Sequence, residues 1–324
     1  MDFIIISLLV LTLFYYVCLW FRTRNGSNQP NLPPGVTGWP IIGATLEFQH
    51  TNKLGVSEKF VQDRLLKYYS NVFKISLFSE PMVVFCSAEG NKFVFSNENK
   101  LVRSWFPKSF DLLFTNNQGS TSTVEEAKRT KKIFGPFLKP DSLRKFIGII
   151  DVFTRKHLES CWHGNEVVTV YPLVKTYSFS VVCKLLLDLE NPDLVSKLEE
   201  KICHVSAGLT SLPLNLPGTT YYRAVQAGRF IRKEIEKLVL QRISDRENMG
   251  EDMLSHLLRE TTGDSQPAVN TPEIANSLYG FLFGASDNVS SSMASIIFHL
   301  ADLPDVYDQV LKGTYVHRYS HSKI

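Results

Sequence analysis

A run of small and polar residues inside an apolar segment is the part of the sequence best suited to chemistry. It reads Gly284-Ala285-Ser286-Asp287-Asn288-Val289-Ser290. Gly284 and Ala285 are small enough to let a flat ring approach a helix closely. Asp287 can carry a proton, and Asn288 can orient a water molecule through its amide. From the residues alone, close helix packing beside a solvated polar patch is the favoured interpretation of the run.

The residues on either side of this run predict the helix that must position it. Asn270 or Thr271 can cap the N-terminus, and Pro272 suits a first helical turn. Glu273 is favourable at the positive end of the helix dipole. Pro304 ends the segment, so the pattern predicts a helix of about 31 residues and roughly 46 Å.

Other reactive side chains lack the spacing of a known site. The histidines and cysteines that lie close together in sequence do not supply four metal ligands, so no metal site is predicted. They are His157, Cys161, His163, His317 and His321. The sequence contains no G-x-S-x-G, Walker or G-x-G-x-x-G motif, so neither a nucleophile elbow nor a nucleotide site is indicated. The five cysteines form no C-x-x-C pair, which argues against a disulfide framework.

The composition is that of a globular protein. The 324 residues are 44% hydrophobic and 21% charged, which excludes a disordered or collagen-like chain. The net charge of +3 has no strong basic bias, so no nucleic-acid partner is expected.

The N-terminus carries an apolar run over residues 3–21, which as a helix would measure about 28 Å, close to the thickness of a bilayer core. Arg22 and Arg24 follow it, and the positive-inside rule then places the bulk of the chain in the cytosol. We therefore predict an uncleaved single-pass anchor. A cleaved signal peptide and a buried core helix are the alternatives. A polar and proline-rich hinge follows over residues 25–43.

The rest of the pattern predicts a mainly α-helical fold with a small sheet near the N-terminus. Residues 72–78 alternate in polarity and residues 81–85 are rich in β-formers, with a turn at Ser79-Glu80. Helical spacing is found over residues 56–69, 88–96, 124–134, 142–162, 173–189, 193–207, 222–248, 252–261 and 272–302.

Several segments resemble the cytochrome P450 family of haem-thiolate monooxygenases, in particular its plant branch that oxidises triterpenoids such as β-amyrin. The anchor, the basic residues and the Pro33-Pro34-Gly35 hinge follow each other in the order typical of microsomal members. Further resemblance lies at residues 71–78, 91–102, 137–140 and 214–219, and the run at Gly284 is similar to the small-Gly-x-acid-Thr-small signature of the family's central helix. The similarity extends in order from the anchor to about Lys312.

This resemblance implies a partial cytochrome P450 fold behind a transmembrane anchor. It implies haem b as cofactor, NADPH–cytochrome P450 reductase as partner and a triterpenoid or sterol substrate. It also implies an endoplasmic reticulum membrane location.

The resemblance assigns roles to individual residues. Asp287 and Asn288 are expected at the proton-relay positions, with Asn288 in place of the usual threonine. Gly284 and Ala285 are expected to face the haem. Lys131 stands where the family binds a haem propionate, with a solvated basic face as the equal alternative. The residues expected on the substrate side, with ordinary core packing as the alternative, are Trp105, Phe106, Phe110, Leu113 and Leu214.

The iron-ligating cysteine is the missing part of the resemblance. The family places it in an F-x-x-G-x-R-x-C-x-G loop, and none of the five cysteines has this setting. We expect an anchor over residues 1–24, the hinge over 25–43, a truncated P450 domain over 44–312 and an unrelated tail over 313–324. A non-catalytic, membrane-anchored fragment without haem is therefore the alternative function.

Overall fold

The computed structural model describes residues 2–25, 32–36, 38–39, 42–78, 80–103, 106, 108–114, 134–245, 247, 249–261 and 271–321. Two compact units are distinguished, one formed by Met1–Thr121 with Val205–Val225 and the other by Ser122–His204 with Gln226–Ile324. The predicted fold class is confirmed, since the described residues are mainly helical with a two-stranded sheet near the N-terminus.

The first unit begins with α1 (Asp2–Asn25) and continues through a helix pair, a hairpin and two shorter helices. These elements are α2 (Thr45–Lys53), α3 (Ser57–Tyr68), β1 (Val72–Leu77), β2 (Glu80–Phe85), α4 (Ala88–Ser96) and α5 (Lys108–Phe114). The hairpin is antiparallel, with Val72 opposite Phe85 and Leu77 opposite Glu80. Phe73 and Ile75 alternate with polar neighbours and are buried against Phe60 of α3, as expected for a strand with one face in the core.

The hinge is attached to the hairpin. The Lys74 amide donates to the Pro34 carbonyl at 2.9 Å, and the Ala44 amide donates to the Ser76 carbonyl at 2.8 Å. Gly35 has a φ of 139°, and a Cβ there would lie 2.2 Å from the Lys74 carbonyl oxygen, so a side chain cannot be accommodated. This end of the hinge therefore runs against β1.

The second unit is built around two long helices. Its N-terminal part contains α6 (Pro140–Arg144), α7 (Ile147–His157), a π-helical turn (Leu158–Trp162) and α8 (Val170–Leu187). Helices α9 (Pro192–Leu209) and α10 (Thr220–Ser244) contribute residues to both units. Then follow α11 (Met253–Thr261), α12 (Thr271–Asp302) and α13 (Pro304–His321).

Helices α8 and α12 pack along each other and bury their apolar faces. Among the described residues, α8 is the helix that is long and apolar enough to cross a membrane, while the apolar stretch Ser7–Leu19 of α1 is shorter. Phe179 and Cys183 of α8 and Leu278 of α12 are fully buried in the protein. We therefore treat α8 as a core helix.

Several elements differ from the sequence prediction. The pattern did not indicate α2 or α5, and the segment predicted as one helix over residues 142–162 is divided, ending in the π-helical turn. Helix α13 continues beyond Gly313 to His321. It is exposed over its described side chains, so an amphipathic period was not available to indicate its length. The helix predicted over residues 124–134 lies outside the described residues, apart from Phe134.

Candidate functional site

Helix α12 has nearly the bounds that its terminal residues predict. It starts at Thr271, with Pro272 and Glu273 in the first turn, and it ends at Asp302 before Pro304. Buried residues occur from Ile274 to Ser290 and none is found between Ser291 and Asp302. The run Gly284–Ser290 therefore lies at the end of the buried part of the helix.

Asp287 is held by a lysine of the neighbouring helix. The Nζ atom of Lys175 in α8 lies 2.9 Å from Oδ1 of Asp287, and the lysine side chain is 17% exposed. Burial lowers the pKa of Lys175, but its hydrogen bond to Asp287 and the surrounding negative groups outweigh this, so that the pKa is raised. The ion pair fixes the carboxylate of Asp287 on the α8 side of α12.

Sequence reasoning missed Lys175, although a signal for it exists. Lys175 and Lys184 are the two charged residues in the otherwise apolar α8. A charged group in such a helix is stable when it has a partner of opposite charge. Lys184 has its partners close by in sequence, Asp188 and Glu190. Lys175 has its partner on another element.

Gly284 and Asn288 lie next to the ion-paired Asp287 on α12 but are exposed, whereas Asp287 is half-buried. The Asn288 side-chain amide donates to the Gly284 carbonyl at 2.8 Å, one turn back along α12, and both residues are exposed. A Cβ at Gly284 would have no atom of the described structure within 4 Å. Ala285 is half-buried. The buried Ser290 donates to the carbonyl of Ser286, also buried, at 2.9 Å. The face of α12 formed by Gly284 and Asn288, called the Gly284 face below, is open enough for a flat group to approach the backbone.

A haem needs both an accessible helix face and an axial thiolate. The Gly284 face fits the first requirement. The cysteines do not fit the second, because none of the five lies in a glycine-rich sequence like the family's haem-binding loop. Cys183 is moreover fully buried, and desolvation raises its thiol pKa far above the usual range. Cys161 and Cys203 lie on the π-helical turn and on α9, and no cluster of three potential metal-binding side chains occurs among the described residues. The described residues thus offer an open helix face but no thiolate suited to a haem.

The other predicted site residues are distributed over the first unit or lie outside the described residues. Phe106 and Phe110 stack with ring centroids 5.7 Å apart, and Phe106 is exposed. Leu113 is buried, whereas Leu214 is exposed. Lys131 and Trp105 lie outside the described residues. The assignment of the substrate-side residues stays a prediction.

The fold and the α12 site together define a helical protein with an acid–amide pair on a long central helix, and comparison with known proteins identifies its family. The cytochrome P450 family model matches residues 33–315. The chain belongs to the cytochrome P450 family.

Two plant enzymes and one cyanobacterial P450 structure are similar to this chain. A β-amyrin 28-monooxygenase from Vitis vinifera is 40% identical over 316 residues, which are 96% of this chain and 65% of the relative. A protopanaxadiol 6-hydroxylase from Panax ginseng is 42% identical, with the same two shares. A cyanobacterial P450, CYP120A1 bound to retinoic acid, superimposes with a TM-score of 0.74 at 26% identity, covering 87% of this chain and 62% of that one.

These comparisons confirm the resemblance to the plant triterpenoid branch. The chain spans just under two thirds of the length of the relatives that it matches.

Proposed function

We propose that this chain supplies the anchor, the substrate side and the oxygen side of a membrane-bound monooxygenase that hydroxylates a triterpenoid. The observation that carries this is the placement of Asp287, which is fixed by Lys175 beside the open face at Gly284. When bound, a haem with a thiolate ligand activates molecular oxygen.

Asp287 and Asn288 have different tasks in this proposal. Asp287 is half-buried and ion-paired, so it holds a negative charge that can accept a proton from water and return it. Asn288 uses one amide hydrogen on the Gly284 carbonyl. Its remaining hydrogen and its carbonyl oxygen can orient a water molecule but not ionise. Proton delivery therefore depends on Asp287 alone.

The relatives and the apolar side chains on the predicted substrate side support the proposed substrate class. The two curated relatives are named for β-amyrin and protopanaxadiol. The stacked pair Phe106 and Phe110 and the exposed Leu214 offer apolar surface to a large isoprenoid. Trp105 and Leu113 complete the proposed substrate side. A sterol is the second substrate candidate.

Helix α1 anchors the chain in the endoplasmic reticulum membrane, with the bulk of the protein cytosolic. Its 24 residues include a stretch of exposed large apolar side chains, among them Leu9, Leu11, Leu13 and Phe14. Such a surface is unfavourable in water and favourable in lipid. The proposed domain arrangement is an anchor over residues 1–24, a hinge over 25–43, a P450 domain over 44–312 and a tail over 313–324. NADPH–cytochrome P450 reductase supplies the electrons.

A chimera tests the proposal. In it, the matched region of the Vitis vinifera relative is replaced by the corresponding residues of this chain, and the chimera is expressed in microsomes with reductase. We expect a reduced carbon-monoxide difference spectrum of the thiolate type and an oxidised product from β-amyrin. A chimera with full haem content that oxidises neither a triterpenoid nor a sterol contradicts the proposed substrate class.

A second candidate is a non-catalytic, membrane-anchored polypeptide without haem. The observation that favours it is the setting of the five cysteines, none of which lies in the family's haem-binding loop. The chain alone, expressed in the same microsomes, is then expected to give no thiolate-type spectrum. Such a spectrum from the chain alone would overturn this candidate.

A further inference from the structure

A cleft of about 350 Å³ lies between α7, α8 and the N-terminal half of α9. None of its lining residues belongs to α12, so the cleft is separate from the Gly284 face. Its walls combine apolar and aromatic side chains with hydroxyl, imidazole and carboxylate groups. Those used below are Phe153, His157, Tyr177, Ser196 and Glu199, with Lys156 also on the lining.

His157 lines this cleft beside Tyr177, with the two ring centroids 5.3 Å apart. Its Nε2 atom is buried and has no hydrogen-bond partner in the part of the chain that the structure describes. Burial lowers the pKa of His157, so the ring is neutral at pH 7 and has one donor and one acceptor nitrogen. Because this nitrogen is buried and not open to a ligand, His157 contributes the face of a neutral ring to the cleft wall rather than a hydrogen bond.

Glu199 offers unused acceptor capacity on the α9 wall. Thr176 donates to its Oε1 atom at 3.1 Å, and no other hydrogen bond to this carboxylate is found among the described residues. Burial raises the pKa of Glu199, although the Thr176 hydrogen bond and the charge of Lys175 oppose the rise. A carboxylate can accept about four hydrogen bonds, so Glu199 can bind the donor groups of a ligand.

Tyr177 also presents an acceptor. Thr154 donates its hydroxyl hydrogen to the Ile150 carbonyl at 2.7 Å. The 2.7 Å bond between Thr154 and Tyr177 is therefore donated by the tyrosine, which leaves lone pairs of the tyrosine oxygen for a ligand. The wall thus favours a ligand that donates hydrogen bonds.

The backbone at the rim is irregular. The π-helical turn Leu158–Trp162 follows His157 directly and carries Ser160, another lining residue. Single π turns are rare, and many occur at functional sites. This backbone feature is independent of the side-chain chemistry and marks the same place.

We propose that this cleft binds a neutral ring compound that carries hydroxyl groups. The apolar face of the ring would pack on Phe153 and His157, and the hydroxyls would hydrogen-bond to Glu199 and to the Tyr177 oxygen.

Three charged residues line the cleft, and one of them, Glu190, is paired with Lys184. Of the other two, Lys156 disfavours a cationic ligand and Glu199 disfavours an anionic one. The described chemistry is shared by alicyclic alcohols and by sugars.

Calorimetric titration of the full chain in detergent with trans-cyclohexane-1,2-diol and with methyl β-D-glucopyranoside tests this inference. We expect at least one probe to bind with a millimolar Kd, the diol indicating an alicyclic alcohol and the glucoside a sugar. Glu199→Gln and Tyr177→Phe are each expected to weaken binding by about tenfold. Glu200→Gln, a change in the next, exposed carboxylate of α9 outside the cleft, is the matched control and should leave binding unchanged.

Ser196→Trp is the second variant, because Ser196 is exposed and a ring there blocks the cleft without altering a buried group. It should abolish binding while the circular dichroism spectrum stays that of the unmodified chain. Absence of binding by both probes, binding that survives Ser196→Trp, or binding of tetramethylammonium in their place would overturn the proposal.

Discussion

Lys175 in α8 and Asp287 in α12 form a 2.9 Å ion pair. The pair connects two helices of the second unit that pack along each other. The pair links the acid of the family signature to a residue that the signature does not contain. The role of Asp287 therefore depends on α8 as well as on α12.

Replacing the lysine should affect both stability and proton delivery. In the chimera, Lys175→Gln leaves a half-buried carboxylate without its cation, and we expect a loss of about 1–2 kcal/mol in the free energy of unfolding. We also expect product formation to fall by about tenfold or more, since Asp287 is no longer held in place. Urea unfolding and product analysis check this. Lys201→Gln, which breaks a more exposed pair with Glu200, is the control, and equal losses in both variants would contradict a specific role for Lys175.

The pH dependence of stability should report the buried state of His157. Burial lowers the pKa of His157 below 6.5 in the folded chain, so near this pH the unfolded chain binds more protons than the folded one. Stability therefore rises with pH through this range and falls as the pH is lowered below 6.5. His157→Gln should reduce the difference in unfolding free energy between pH 5.5 and pH 7.5, as measured by urea titration. The exposed His163, replaced by Gln, serves as control, and an unchanged difference in His157→Gln contradicts the prediction.

The sequence predicted α12 and the hairpin well because their determinants are local. Pro272 and Pro304 limit the helix, and the alternation around Phe73 and Ile75 defines a strand with one buried face. Helix α2 was missed because Leu46 and Phe48 are its two large apolar residues, too few to show a helical period. Its position depends on the packing of Phe48 against the core around Phe60, which is a tertiary contact.

The candidate site was predicted only in part for the same reason. Gly284, Asp287 and Asn288 could be placed on one helix, but their orientation depends on neighbours distant in sequence. The ion pair turns Asp287 towards α8, while Asn288 is exposed and bonds to its own helix. Side-chain pairing between separate helices leaves no periodic signal in the sequence.

A buried network at the start of α11 should be a major source of stability. Asp252 is 5% exposed, accepts from the Ser255 amide at 3.0 Å as the N-cap, and lies 2.6 Å from Arg242 of α10. Asp252→Ala removes the cap and leaves the arginine without this partner, so we expect a loss of about 3–4 kcal/mol. Asp252→Asn keeps a capping oxygen and should lose less. Thermal and urea unfolding measure both.

The matched control for this network is Asp141→Ala, which breaks an exposed ion pair with Arg144. Such pairs contribute between zero and about 1 kcal/mol. A loss in Asp252→Ala no larger than in Asp141→Ala would contradict the structural role of the network.

A substitution at Gly284 should affect haem binding without affecting the stability of the fold. A Cβ at this position meets no described atom within 4 Å, and the same holds at the exposed Gly280 one turn earlier. Because valine and glycine differ in helix propensity by less than about 0.5 kcal/mol, Gly284→Val and Gly280→Val should both leave the unfolding free energy of the chain nearly unchanged. In the chimera, only Gly284→Val is expected to lower the haem bound per protein, since its branched side chain occupies the space through which a flat group reaches α12. Equal haem contents in the two variants, measured by pyridine haemochrome absorbance, would show that the haem does not lie against Gly284.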